Sequence, residues 1–250
     1  MGIKLDKMTG FMKGLTGSTL KWIAIVTMFI DHVAATILVR IILSGGYSEE
    51  MMQIYKIMRT IGRVAFPIFC FLLVEGFLHT RNVYKYIGRM AGFVLLTEIP
   101  YDLAFSACFP SWEDQSVMLT LLIGLLTMWG CSLIERKWPT NYLGQWIGFA
   151  LCLAMGMQVA YLLNTDYAYR GVLSIMAMYF FRRERNLQVL AGAITFLWEP
   201  WALVAFPLIY LYNGQRGMKM KYFFYAFYPL HLLLFYAISF ILGIHYIPVV

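Results

Sequence analysis

Apolar residues run through this chain in nine blocks separated by short polar turns: Leu20–Leu43, Ile57–Leu78, Tyr86–Phe109, Val117–Ile134, Tyr142–Leu163, Gly171–Phe181, Leu187–Trp198, Ala202–Tyr212 and Tyr222–Ile244. A helix needs about 20 predominantly apolar residues to cross a ~30 Å hydrocarbon core. The first five blocks and the last have that length. The sixth to eighth are short. The seventh and eighth read either as one helix broken at Glu199-Pro200 or as half-spans lining a cavity. Proline removes a backbone donor and clashes with the turn before it. Broken backbone is tolerated at membrane depth only where protein or water covers it.

Charge separates these alternatives, because cytoplasmic loops carry an excess of Lys and Arg. The N-terminus and every second turn are basic: Lys4, Lys7, Lys13 and Lys21, then Arg81, Lys85 and Arg89, then Arg136 and Lys137, then Arg182, Arg183 and Arg185, then Arg216, Lys219 and Lys221. The intervening turns hold Glu49, Glu50 and Lys56, then Glu113 and Asp114, then Asp166 and Arg170, then Glu199. The alternation holds through nine spans and fails with eight. The expected fold is therefore an all-α integral membrane protein. It is a polytopic bundle of about nine transmembrane helices and a single domain over residues 1–250. Its N-terminus is cytoplasmic, its C-terminus outside, and its place the inner (cytoplasmic) membrane.

Composition agrees. The chain is 61% hydrophobic and 13% charged with a mean hydropathy of +0.68, against about 45–50% and about 25% for soluble domains. The net charge of +7 follows from basic inner loops, so no nucleic-acid partner is expected. The four cysteines, Cys70, Cys108, Cys131 and Cys152, show no metal-ligand spacing, and neither a disulfide nor a metal is expected. The first apolar run follows lysines as in a signal peptide. It is too long for one, lacks a small-residue cleavage site and carries Asp31-His32, so it is expected to stay in the protein.

The informative residues are the ionisable ones inside the apolar blocks, which are costly and should face the bundle interior. Asp31 stands ten residues in from Lys21, and His231 ten past Lys221. At ~1.5 Å per residue both lie about 15 Å deep, near the midplane. Two imidazoles at one level suit proton handling near neutral pH. Asp31 points roughly 100° away from His32 round the helix, so the two need not pair. Arg59 and Arg63 share a face of the second block. Glu98 and Asp102, also four apart, bracket Pro100 on the outer half of the third. These carboxylates suit either the two arginines or a cationic amine from outside. Glu75 and His79 form a further i,i+4 pair, and Asp166 with Arg170 reads as a plain surface pair. Phosphate-loop, dinucleotide, serine-elbow and zinc-protease signatures are missing.

Several motifs resemble one family. Leu20-Lys21-Trp22-Ile23-Ala24 leading to Ile30-Asp31-His32 is similar to the opening of the TraX family. Ile61-Gly62-Arg63-Val64-Ala65-Phe66-Pro67-Ile68-Phe69, with Glu75-Gly76-Phe77 and His79-Thr80-Arg81-Asn82, resembles its longest motif. Glu98-Ile99-Pro100-Tyr101-Asp102 and Phe227-Tyr228-Pro229-Leu230-His231 resemble it too. Nothing between Cys108 and Leu163 carries the resemblance. The family's named member acetylates the N-terminus of a conjugative pilin. It looks like part of a wider set of multi-span acyltransferases that use cytoplasmic acyl-coenzyme A and an outer acceptor.

The resemblance implies an acetyl-coenzyme A-dependent acyltransferase with His32 as base. Asp31 or another carboxylate would hold the imidazole, and His231 would assist. Arg81, Arg89, Arg216 and Lys221 would contact the donor phosphates. Arg59, Arg63, Glu98 and Asp102 would meet the acceptor, which is a peptide terminus, an amino acid or a glycan. The rival reading is a proton-coupled permease using the same midplane groups, although no internal repeat supports it. An assembly subunit without chemistry is the third.

Overall fold

The computed structural model describes residues 14–218 and 221–249, with only the backbone of Lys221 and Tyr222. Lys4, Lys7, Lys13, Lys219 and the side chain of Lys221 lie outside the described residues. The architecture is all-helical, and no strand occurs among the described residues beyond two isolated bridges, Leu15 with Tyr212 and Gln115 with Thr165.

Helix α1 (Gly17–His32) starts at Thr16, whose hydroxyl accepts a hydrogen bond from the Thr19 N–H. This satisfies one of the donors a helix start leaves open. It runs on through a π-helical stretch, Val33–Leu38, into α2 (Val39–Leu43), giving one 27-residue span. The π turn begins directly after His32, and π turns are frequent at functional sites. Helices α3 (Glu49–Gly62) and α4 (Ala65–Leu78) form a second, 30-residue span interrupted at Arg63-Val64. Pro67 explains the interruption: its ring excludes the carbonyl four residues back, that of Arg63.

Helices α6 (Val117–Lys137), α7 (Tyr142–Leu162) and α11 (Lys221–Ile241) complete the five segments long and apolar enough to cross a membrane. Helix α5 (Val83–Phe105) has the length, but Lys85, Arg89, Glu98 and Asp102 lower its hydropathy. Helix α7 turns Trp146, Leu151, Met155 and Leu162 outward, as a lipid-facing helix does.

The sixth to eighth apolar blocks depart from separate full crossings. Helices α8 (Ala168–Phe180), α9 (Arg185–Thr195) and α10 (Ala205–Tyr210) have 13, 11 and 6 residues. At ~1.5 Å per residue they reach only about 20, 16 and 9 Å. A 3-10 turn at Pro200–Val204 precedes α10. Arg185, opening α9, lies over the ring of Tyr212 just past α10 at 5.3 Å. The turn between them carries Glu199 to Arg63, 3.5 Å away. The two helices thus begin and end at one end of the bundle as a hairpin.

The core runs between α1, α4, α6 and α8, where Leu20, Ala24, Ile68, Phe71, Leu125 and Ile175 are fully buried. Helix α11 packs chiefly against α5, and α1 against α3 and α4. The α1–α3 approach needs Gly62, since any Cβ there would overlap the Asp31 side chain. Small residues allow such close contact where no hydrophobic force drives helices together.

Candidate functional site

Helices α1 and α11 bring the two midplane histidines together. His32 Nδ1 lies 2.7 Å from His231 Nε2, with the rings nearly parallel. His231 Nδ1 lies 2.8 Å from the Phe227 carbonyl oxygen. A carbonyl only accepts, so Nδ1 of His231 carries the proton and its Nε2 offers a lone pair. His32 Nδ1–H must then donate to it, which leaves His32 Nε2 unprotonated: a base aimed by a second imidazole. Phe29, Phe227 and Phe235 surround His231, while Phe105 and Tyr228 stand edge-on to His32.

Two cavities, called inner and outer after the expected orientation, approach the pair through its neighbours, one past Phe227 and Tyr228 and the other past Phe105; neither histidine lines them. The inner one, about 770 Å³, has Lys21, Arg89 and Arg216 at its mouth. Its apolar wall includes Met28 and Leu73, and it reaches Phe227 and Tyr228, one turn before His231. The outer one, about 180 Å³, is lined by Tyr55, Arg59, Tyr101, Phe105, Asp114 and Asp166, with Val249 of the C-terminal tail. Arg40, fully buried beyond the π turn, donates to the Ile247 carbonyl, and Val249 N–H donates to that of Phe105. Those bonds fix the tail over the crevice.

The other expected residues find different partners. Asp31 does not hold an imidazole; it pairs with Arg59 at 2.6 Å, because neighbours on a helix face different directions. Arg63 pairs with Glu199 and hydrogen-bonds the Tyr167 hydroxyl, so neither arginine meets Glu98 or Asp102. Glu98 accepts from the Ser116 hydroxyl and Asp102 from the Ser111 N–H. Both anchor the α5–α6 turn, with Asp102 almost wholly buried. Glu75 borders the inner cavity, with Arg185 at 3.6 Å and His79 at 3.9 Å. Arg81 is exposed outside the cavity lining, whereas Arg89 and Arg216 are part of it.

Lys21 at the mouth was legible as a basic residue but not as part of the donor-side set. Asp166 escaped too. Its expected partner Arg170 stacks instead on Trp198, 4.8 Å away, and Asp166 turns into the outer crevice. Only its place in an acidic outer turn hinted at this. Asp166 lines the crevice and remains exposed to water there.

The family model for the TraX protein matches residues 16–239. The chain belongs to the TraX family. A relative within reach of this TraX-family chain is described as a probable fimbrial assembly protein FimC, serogroup H1, from Dichelobacter nodosus. It is 28% identical over 245 residues, covering 86% of this chain and 92% of the relative. No solved structure matches the chain.

Proposed function

We propose that this TraX-family protein is a membrane acyltransferase. It takes an acyl group, acetyl in the first instance, from coenzyme A in the inner cavity to an amine or hydroxyl acceptor in the outer crevice. The observation that carries the reading is His32 Nε2, left free as a base by the His231 relay between two cavities of unlike charge. Lys21, Arg89 and Arg216 suit the phosphates of the donor, since ammonium and guanidinium groups bind phosphate by charge-assisted hydrogen bonds. Asp114 and Asp166 attract a cationic amine. The name of the Dichelobacter relative points to a fimbrial subunit as acceptor.

In the transfer, His32 Nε2 takes the proton from the neutral acceptor amine or hydroxyl as it attacks the thioester carbonyl carbon. The tetrahedral intermediate expels the coenzyme A thiolate, breaking the C–S bond. The thiolate takes the proton from His32 Nε2, which restores the neutral imidazole. The product is the acyl amide or ester with free coenzyme A. His231 holds the imidazolium through the intermediate step.

Excess Lys and Arg at the inner-cavity end orient that end to the cytoplasm. With the α9–α10 hairpin returning to its starting side, this orientation has the N-terminus in the cytoplasm and the C-terminal tail outside. Sealed inner-membrane vesicles test both points together. Vesicles with the cytoplasmic face outward should release coenzyme A thiol from added acetyl-coenzyme A when acceptor is enclosed. Right-side-out vesicles should not. Thiol release in neither, with acceptor-driven solute uptake instead, would favour a permease.

A further inference from the structure

The His32 base leaves half of the chemistry unassigned. When the acceptor adds to the thioester, the carbonyl oxygen becomes an oxyanion and needs a hydrogen-bond donor aimed at it. The backbone around the histidines offers little. N–H groups inside α1 and α11 are engaged in their own helices, and Pro229, two residues before His231, has no N–H. Among the rings within about 6 Å of His32, Phe105 has no polar atom and His231 uses both nitrogens. Tyr228 remains. Its ring stands edge-on, 6.0 Å from His32 and 5.5 Å from His231. It is 3% exposed and lines the inner cavity. Its hydroxyl makes no hydrogen bond among the described residues.

Packing alone does not call for that oxygen. Phe29, Phe227 and Phe235 pack on His231 as plain rings, and a hydroxyl without a partner in a largely buried position costs free energy. A neutral phenol is a donor at physiological pH. We infer that the Tyr228 hydroxyl donates a hydrogen bond to the thioester carbonyl oxygen, and so serves as the oxyanion-stabilising residue of the transfer. No proton leaves the phenol: Tyr228 keeps its hydrogen while His32 carries the proton from acceptor to thiolate. This inference rests on the acyltransferase reading.

The test compares wild type, His32→Gln and Tyr228→Phe, each in lipid, for coenzyme A release and for binding of two non-reactive donor mimics. S-acetonyl-coenzyme A keeps a carbonyl; S-propyl-coenzyme A matches its length without one. Tyr228→Phe should lower kcat about 10²- to 10³-fold, as loss of an oxyanion donor does. The donor KM should rise by no more than the ground-state contact, about 2- to 12-fold, and the melting temperature should hold. Wild type should bind the acetonyl compound about 2- to 12-fold more tightly than the propyl one. In Tyr228→Phe that preference should vanish, a change that a merely structural tyrosine would not produce. A preference that survives the substitution, or a kcat near wild type, overturns the role of Tyr228 and leaves the acyltransferase standing. A wild type that transfers nothing and binds neither mimic removes both.

Discussion

His32→Ala should yield a folded membrane protein that binds acetyl-coenzyme A but transfers no measurable acyl group. A positioned general base contributes about 10²–10⁴-fold, and among the described residues no other imidazole or carboxylate takes the position of His32. Asp31 is tied to Arg59, and the Nε2 of His231 would lie a further 2.7 Å back from the position of the lost ring nitrogen. Stability should change little, because the variant leaves a single acceptor, His231 Nε2, unpaired, roughly 1 kcal/mol. His231→Leu should be milder in rate: the base remains, but nothing fixes its tautomer or orientation. Measured kcat for both variants, with donor binding as the control for folding, decides it. A His32→Ala variant retaining more than a small fraction of wild-type activity would end the catalytic assignment.

Gly62→Ala should destabilise the fold strongly. The new Cβ overlaps the Asp31 side chain at its Cβ, next to the α1 backbone, where no far end of a flexible chain can swing aside. Helices α1 and α3 must part. Overpacking of this kind costs about 1–3 kcal/mol, and it also strains the half-buried Asp31–Arg59 pair, whose separation leaves charges uncompensated. A melting temperature lower by roughly 5–10 °C is expected for a chain of this size. Gly88→Ala is the matched control. Nothing lies within 4 Å of its added Cβ, and alanine is the better helix former, so it should melt at or above wild type. Equal melting of the two variants would show that the Gly62 contact does not hold the helices in register.

The histidine pair is legible in the sequence because position along a spanning helix converts directly into height. Asp31 and His231 each stand ten residues past a basic residue, and the two imidazoles close to 2.7 Å. Height is all that such spacing gives. Azimuth and partner choice are tertiary, so Asp31 with Arg59, and Arg63 with Glu199, were not legible while each charge was read within its own helix. Glu98 and Asp102 were correctly placed on one face of the third block, yet their partners, Ser116 and Ser111, sit in a turn whose path the sequence does not specify. The break at Arg63-Val64 was written in the chain by Pro67, four residues on. Its signal was hidden inside an otherwise continuous apolar run. The hairpin of α9 and α10 was readable as short blocks around Glu199-Pro200, but the choice between crossing and returning needed the Arg185–Tyr212 contact.

No residue lines both cavities. The inner cavity is built from α1, α4, α5, α6 and α11 together with the loop from Tyr212 to Met218. The outer crevice draws on the end of the first span, α3, the last turn of α5, two loops at Asp114 and Asp166, and the tail. Loops accept substitution and length change far more readily than packed helices. Asp114, Asp166 and the tail residue Val249 can therefore change, and with them the charge of the outer crevice, while the inner cavity stays as it is. If the proposed transfer holds, the choice of acceptor can drift independently of the donor.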